Sequence, residues 1–150
     1  MQSNQPMARR QGHFAILARA ALAEVEAVLA DAPAIPPFTV LKQPETGTIM
    51  VEGRAGGGGR RFNLGEATMT RCAIRLEDGT LGFSYALGRD MAKARKAAVL
   101  DALLQNEPPE GPMHRAMHRL AEHQKQAREE ASRKAAATKV EFFTMVRGEG

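Results

Sequence analysis

The chain has 150 residues, of which 43% are apolar and 25% charged, with a formal net charge of +4. That length is one ordinary domain with room for a core of its own, and the composition excludes a disordered or fibrous protein. A single cysteine, Cys72, excludes an intramolecular disulfide and fits a reducing, cytoplasmic setting.

Residues 1–11 are polar and expected to fray. From Phe14 the apolar positions Leu17, Ala18, Ala21, Leu22, Val25 and Leu29 recur at the three- and four-residue spacing of one helix face, which predicts a helix over 12–31. Pro33, Pro36 and Pro37 stop it. Arg19, Glu24 and Glu26 interrupt the segment, so it is no membrane span. The amphipathic stripe that follows Arg9-Arg10 is likewise no export-signal core.

Strand signals fill 38–88. Phe38–Leu41 and Thr48–Arg54 read as two strands joined by a turn at Glu45–Gly47, and alternation resumes over Ala67–Leu76. Thr68, Thr70, Cys72, Ile74 and Leu76 form the expected core side of that strand. Asp78-Gly79 predicts a tight type I′ hairpin into Thr80–Leu87. In this last strand Leu81, Phe83, Tyr85 and Leu87 alternate with Gly82, Ser84 and Ala86, and the bulky set is expected to be buried. Short turns between neighbours imply an antiparallel sheet of about four strands with one face covered, an α+β fold.

Asp90 is the expected N-cap of a helix within 89–105, with Met91, Ala94, Ala98, Ala102 and Leu103 apolar at helical spacing. The proline-rich linker 106–112 ends it. A long polar helix is predicted from Met113 to about Lys134, with an apolar stripe of only Met113, Met117, Leu120 and Ala121. Val140–Val146 then forms an apolar cluster at the end of a polar arm, so 113–147 reads as a helix and docking tail that reach the sheet or another chain. Between Met113 and Lys139 seven basic residues face three acids, a net +4, and the isoelectric point is near 9.6. Nucleic acid is one partner such a helix attracts. The absence of tryptophan and the 5% aromatic content speak against single-strand binding, which relies on stacking.

Few residues point to chemistry. The run Gly56–Gly59 with Arg60 and Arg61 has the backbone freedom and the guanidinium groups that cradle phosphate, and it is equally a flexible connector. It lacks the lysine and hydroxyl residue of a P-loop. His114 and His118 lie one helical turn apart, His123 falls off their face, and Glu122 is the available third ligand for a metal; solvent-facing histidines are the plainer reading. Cys72 sits among apolar neighbours as a buried, inert thiol. The acids are scattered, with no acid and base pairing evident from spacing.

Four segments, Arg61–Arg71, Leu76–Asp90, Ala98–Leu104 and Val140–Gly148, together resemble the PhnG family, the G subunit of the bacterial carbon-phosphorus lyase system. The resemblance runs in order from about residue 14 to 148 and is loosest over Pro108–Lys134. It implies a single PhnG-like domain spanning 1–150 and a non-catalytic, accessory role in a core complex with H, I and J partner subunits. In that system a phosphonate displaces adenine from ATP to give a ribose 1-phosphonate 5-triphosphate. A later radical step cleaves the carbon-phosphorus bond with S-adenosylmethionine and an iron-sulfur cluster on a partner subunit. One cysteine cannot supply the thiolates of such a cluster, so no cofactor is expected on this chain. Under the same resemblance Phe142, Phe143, Met145, Val146 and Arg147 become interface anchors. Gly57, Gly58, Gly59, Arg60, Arg61 and Arg71 become the phosphate-facing set at a subunit junction.

Overall fold

The structure, a computed structural model, describes residues 5–54, 59 and 61–148; the side chains of 5, 6, 54, 61, 63 and 140–148 lie outside that description. Among the described residues the elements are α1 (Gln5–Arg19), α2 (Leu22–Leu29), β1 (Phe38–Arg54), β2 (Arg61–Leu76), β3 (Leu81–Leu87), α3 (Met91–Asn106) and α4 (Pro112–Gly148). Two compact units divide the chain, the first ending at Met117 and the second beginning at His118. The first is α+β; the second is the helical remainder of α4.

The sheet has three antiparallel strands in the order β1-β2-β3, against the expected four. No turn forms at Glu45–Gly47: Gly47 pairs with Met69 inside one continuous strand, with register irregularities between Val40 and Lys42 and between Lys42 and Glu45. β1 lies at the sheet edge, where an imino acid such as Pro44 is tolerated because no ladder bond is lost.

Thr70, Cys72, Ile74 and Leu76 are buried as their alternation predicts. β3 is the reverse of expectation. Gly82, Ser84 and Ala86 face the core, whereas Leu81, Phe83, Tyr85 and Leu87 lie on the exposed side. The reason is the neighbour: α3 presents Ala94, Ala98 and Ala102, and its backbone comes so close to β3 that only small residues fit between them. The Ser84 hydroxyl donates to the Ala94 carbonyl at 2.6 Å across this contact. Asp78-Gly79 does turn the chain, but with a three-residue loop. Gly79 N–H donates to Leu76 O, Leu76 N–H to Thr80 O, and Gly79 alone takes a positive φ, the G1-bulge form in place of type I′.

α3 begins where expected, with the Asp90 carboxylate accepting the Lys93 amide at 3.0 Å. It is buried on nearly every side from Lys93 to Leu104, although Met91 is exposed. The predicted helix over 12–31 is two helices, and helical structure already begins at Gln5, where fraying was expected. Ala21 is extended, and its amide is capped by the Glu24 carboxylate at 2.9 Å. The nearly buried Lys93 ammonium reaches the Ala18 carbonyl, freed at the end of α1, at 3.0 Å and Leu87 O at 3.4 Å. Burial pushes the Lys93 pKa below its ordinary value, against the pull of Asp90 and Glu24.

α4 does not stop at Lys134. Neither proline nor glycine occurs between Met113 and Arg147, so nothing in the backbone halts the helix before Gly148. The expected tail is thus its last turns. No helix among the described residues is long and apolar enough to cross a membrane.

Candidate functional site

Two stretches of α1 and α3 that look unremarkable in sequence meet at the free edge of β3. Asp101 is the lone acid in the apolar run Ala97–Leu104 and is only 1% exposed. Its carboxylate accepts both Nε and Nη2 of Arg10 at 3.1 and 2.9 Å, and the Phe83 amide at 2.9 Å. The paired guanidinium has its pKa raised, first by this hydrogen bond, against the cost of burial. It also lies over the rings of Phe14 and Phe83, at 5.1 and 5.6 Å from their centroids. Gln105, one turn on from Asp101, donates to Leu81 O at 2.7 Å. Side chains of α3 therefore occupy polar groups on the edge of β3 that another strand would otherwise use.

One turn along α1 from Arg10, His13 faces His114 of α4 with ring centroids 5.4 Å apart. The linker carboxylate of Glu107 caps α4 by accepting the amides of Met113 and His114 at 3.0 and 2.8 Å, and lies 2.8 Å from His114 Nδ1. A side chain at Gly111 would collide with Glu107, so glycine is needed there for the cap to form. Burial pushes the Glu107 pKa up, but the two amides, the His114 ring and its charge together hold it below the ordinary range. These groups line a cavity of about 480 Å³ with Arg9, Leu104 and Pro109. It offers an oriented imidazole, a neutral imidazole and paired charges, and none of its lining residues is Ser, Thr, Cys, Lys or Tyr.

Burial, then the charges of His114 and Arg9, lower the His13 pKa from 6.5 to about 4. His13 is thus neutral in the fold while an unfolded chain takes up its proton below pH 6.5. Folded-state stability therefore falls as pH drops from about 6.5 to about 4. The full shift corresponds to about 3 kcal/mol, which partial exposure reduces to about 2 kcal/mol. Glu107 adds a further loss at lower pH, as its depressed native pKa is passed. Urea midpoints at pH 7 and 4.5 should separate widely for the wild type and less for His13→Gln; equal separations contradict this account.

The residues singled out from sequence are scattered. Gly57, Gly58 and Arg60 lie outside the described residues, and Gly59 is described without its neighbours. Arg61 and Arg71 lie ten residues apart on β2, roughly 33 Å of extended strand, so the structure does not bring them together. Arg71 is exposed, opposite Glu45 and Tyr85. Phe142, Phe143, Met145, Val146 and Arg147 fall on α4 with side chains outside the described residues. Among the histidines His118 and His123 are exposed, but His114 is not a surface group: its side chain is 8% exposed and its Nδ1 is engaged by Glu107. Among the described residues no three His, Cys, Asp or Glu gather as a metal site. Cys72 is buried, which raises its thiol pKa first of all.

Sequence reasoning missed Arg10, His13, Asp101 and Glu107. Asp101 had a legible signal, a carboxylate inside an apolar helix run, since an acid is rarely buried unless paired. Its partner 91 residues away had none.

A family model described as phosphonate metabolism protein PhnG matches residues 8–148. A relative from Rhizobium meliloti (strain 1021), the alpha-D-ribose 1-methylphosphonate 5-triphosphate synthase subunit PhnG, is 45% identical over 151 aligned positions, covering 95% of this chain and 92% of the relative.

Proposed function

The chain belongs to the PhnG family of phosphonate metabolism proteins, and from that footing we propose that it is an accessory, non-catalytic subunit of an assembly that makes α-D-ribose 1-methylphosphonate 5-triphosphate. The observation that carries the reading is end-to-end similarity to a named subunit of that synthase. In the proposed reaction a phosphonate oxygen bonds to C1 of the ATP ribose as adenine leaves, and the triphosphate is retained. The partners are the H, I and J subunits in a cytoplasmic complex, and S-adenosylmethionine and the iron-sulfur cluster of the later step sit on a partner.

One feature of the described residues supports an accessory role: half-exposed Leu81, Phe83, Tyr85 and Leu87 line the outer side of the sheet. Under this reading Phe142, Phe143, Met145, Val146 and Arg147 anchor the end of α4 on a partner. Gly57, Gly58, Gly59 and Arg60 face substrate phosphate, and Arg61 and Arg71, ten residues apart on β2, are separate contacts and not one cradle.

The test is reconstitution. The H, I and J subunits are assayed for adenine release from ATP and methylphosphonate, with and without this chain. Release should fall to background when the chain is left out and return on its addition. Full activity without it overturns the proposal.

A further inference from the structure

The cavity of about 480 Å³ between α1, the end of α3, the linker and the start of α4 keeps its acids and its bases at different depths. The acids are the least exposed, Asp101 at 1% and Glu107 at 8% of their side chains, and both are engaged. Asp101 accepts from Arg10, the Phe83 amide and Gln105. Glu107 holds the amides of Met113 and His114 and the His114 ring. The bases stand nearer to solvent. Arg9 is exposed and has neither a hydrogen bond nor an ion pair with another described residue. Arg10 keeps 31% exposure, and its bonds to Asp101 use Nε and Nη2 and leave Nη1.

The two imidazoles that face each other at this cavity are incompletely engaged. His13 takes no hydrogen bond among the described residues, and His114 uses only Nδ1. No buried side-chain nitrogen of those residues lacks a partner. Both His13 nitrogens and His114 Nε2 are therefore open to solvent, and the cavity that the two rings line is their outlet. The field there is positive. After burial, what holds the His13 pKa down is the charge of His114 and then that of Arg9, and an anion placed beside them offsets both.

We propose that the cavity is an oxyanion site that takes a phosphate or phosphonate group, its oxygens held by Arg9, by Nη1 of Arg10 and by the open nitrogens of His13 and His114. Donors on separate residues of α1 and α4 suit a group with three terminal oxygens, whereas a planar carboxylate is satisfied by one guanidinium fork. Asp101 and Glu107 do not oppose the anion, because each already has its charge matched by donors and is nearly inaccessible. Their part is to fix the direction of Arg10 and of the His114 ring. The inference goes beyond the subunit reading and does not depend on it, since it gives this chain a ligand of its own.

The histidine ring resonances of the full-length chain report on the site when inorganic phosphate, methylphosphonate or acetate is added at constant ionic strength. Phosphate or methylphosphonate should shift the His13 and His114 rings together and saturably, with a Kd of about 1 mM or tighter, and should raise the His13 titration midpoint from about 4. Whichever of the two binds more tightly identifies the source of the group, and either one supports the site. Arg9 is exposed and unpartnered among the described residues, so Arg9→Gln should keep the wild-type melting temperature yet weaken binding roughly tenfold or more. Exposed His118 and His123 serve as internal controls. Shifts that never saturate, or that are as large at His118 and His123 as at His13, overturn the proposal. So does acetate binding as tightly as phosphate, which makes the site one for carboxylates, and so does an Arg9→Gln variant that binds as the wild type does.

Discussion

Asp101→Ala should cost the fold about 3 kcal/mol or more, the loss expected when one member of a buried, hydrogen-bonded ion pair is removed. The wild-type carboxylate is nearly inaccessible and satisfies four donors at once, two on Arg10, the Phe83 amide and, at 3.4 Å, the Gln105 side-chain amide. Alanine leaves the Phe83 N–H without its acceptor at the edge of β3 and releases the guanidinium that ties α1 to α3. Arg10 retains 31% exposure and turns toward water, so the larger part of the loss comes from the orphaned edge amide and the freed helix. Asp101→Asn should cost less, because its amide oxygen still accepts from Phe83 while its NH₂ group faces the guanidinium. Urea unfolding gives the magnitudes. Exchange of the Phe83 amide gives the mechanism, since it should accelerate in the alanine variant well before global unfolding. An alanine variant with the wild-type midpoint and a protected Phe83 amide contradicts the account.

The two arms of that interaction show where a sequence stops being informative. Local signals were legible: Asp90 as a cap, Gly79 in a turn, the alternation that buries Thr70, Cys72, Ile74 and Leu76. Each depends on residues within a few positions of one another. The misreadings had nonlocal causes. Glu45–Gly47 looks like a turn until the long edge strand pairs straight through it, Gly47 against Met69. Ala20-Ala21 looks helical until Lys93, more than 70 residues on, takes the Ala18 carbonyl. His13, Glu107 and His114 are joined by packing of α1 against the start of α4, which no spacing announces. The family resemblance was legible because it rests on order and identity along the chain, and it carries no information about that cluster.

The deepest misreading, the buried face of β3, leads to the second large effect. Hydrophobicity assigns Leu81, Phe83, Tyr85 and Leu87 to the core, yet the helix above β3 selects by size. A Cβ at Gly82 would lie well inside van der Waals contact of the Ala98 carbonyl oxygen and 2.9 Å from the Ala102 Cβ. Neither neighbour can swing aside, because one is helix backbone and the other has no rotamer. Gly82→Ala must therefore push α3 off the sheet, which lengthens the 2.6 Å bond from Ser84 to Ala94 O and opens the contacts of Ala98 and Ala102 together. Overpacking of this kind costs up to about 3 kcal/mol, and a fall in melting temperature of roughly 10 °C is expected. Gly82→Val should not fold at all. Ala98→Gly does not relieve the clash, because the obstacle is the Ala98 carbonyl and not its methyl, so the double variant Gly82→Ala/Ala98→Gly should stay as unstable as Gly82→Ala. Recovery of the wild-type melting temperature in that double variant contradicts the backbone-contact account and places the limit on side-chain volume instead.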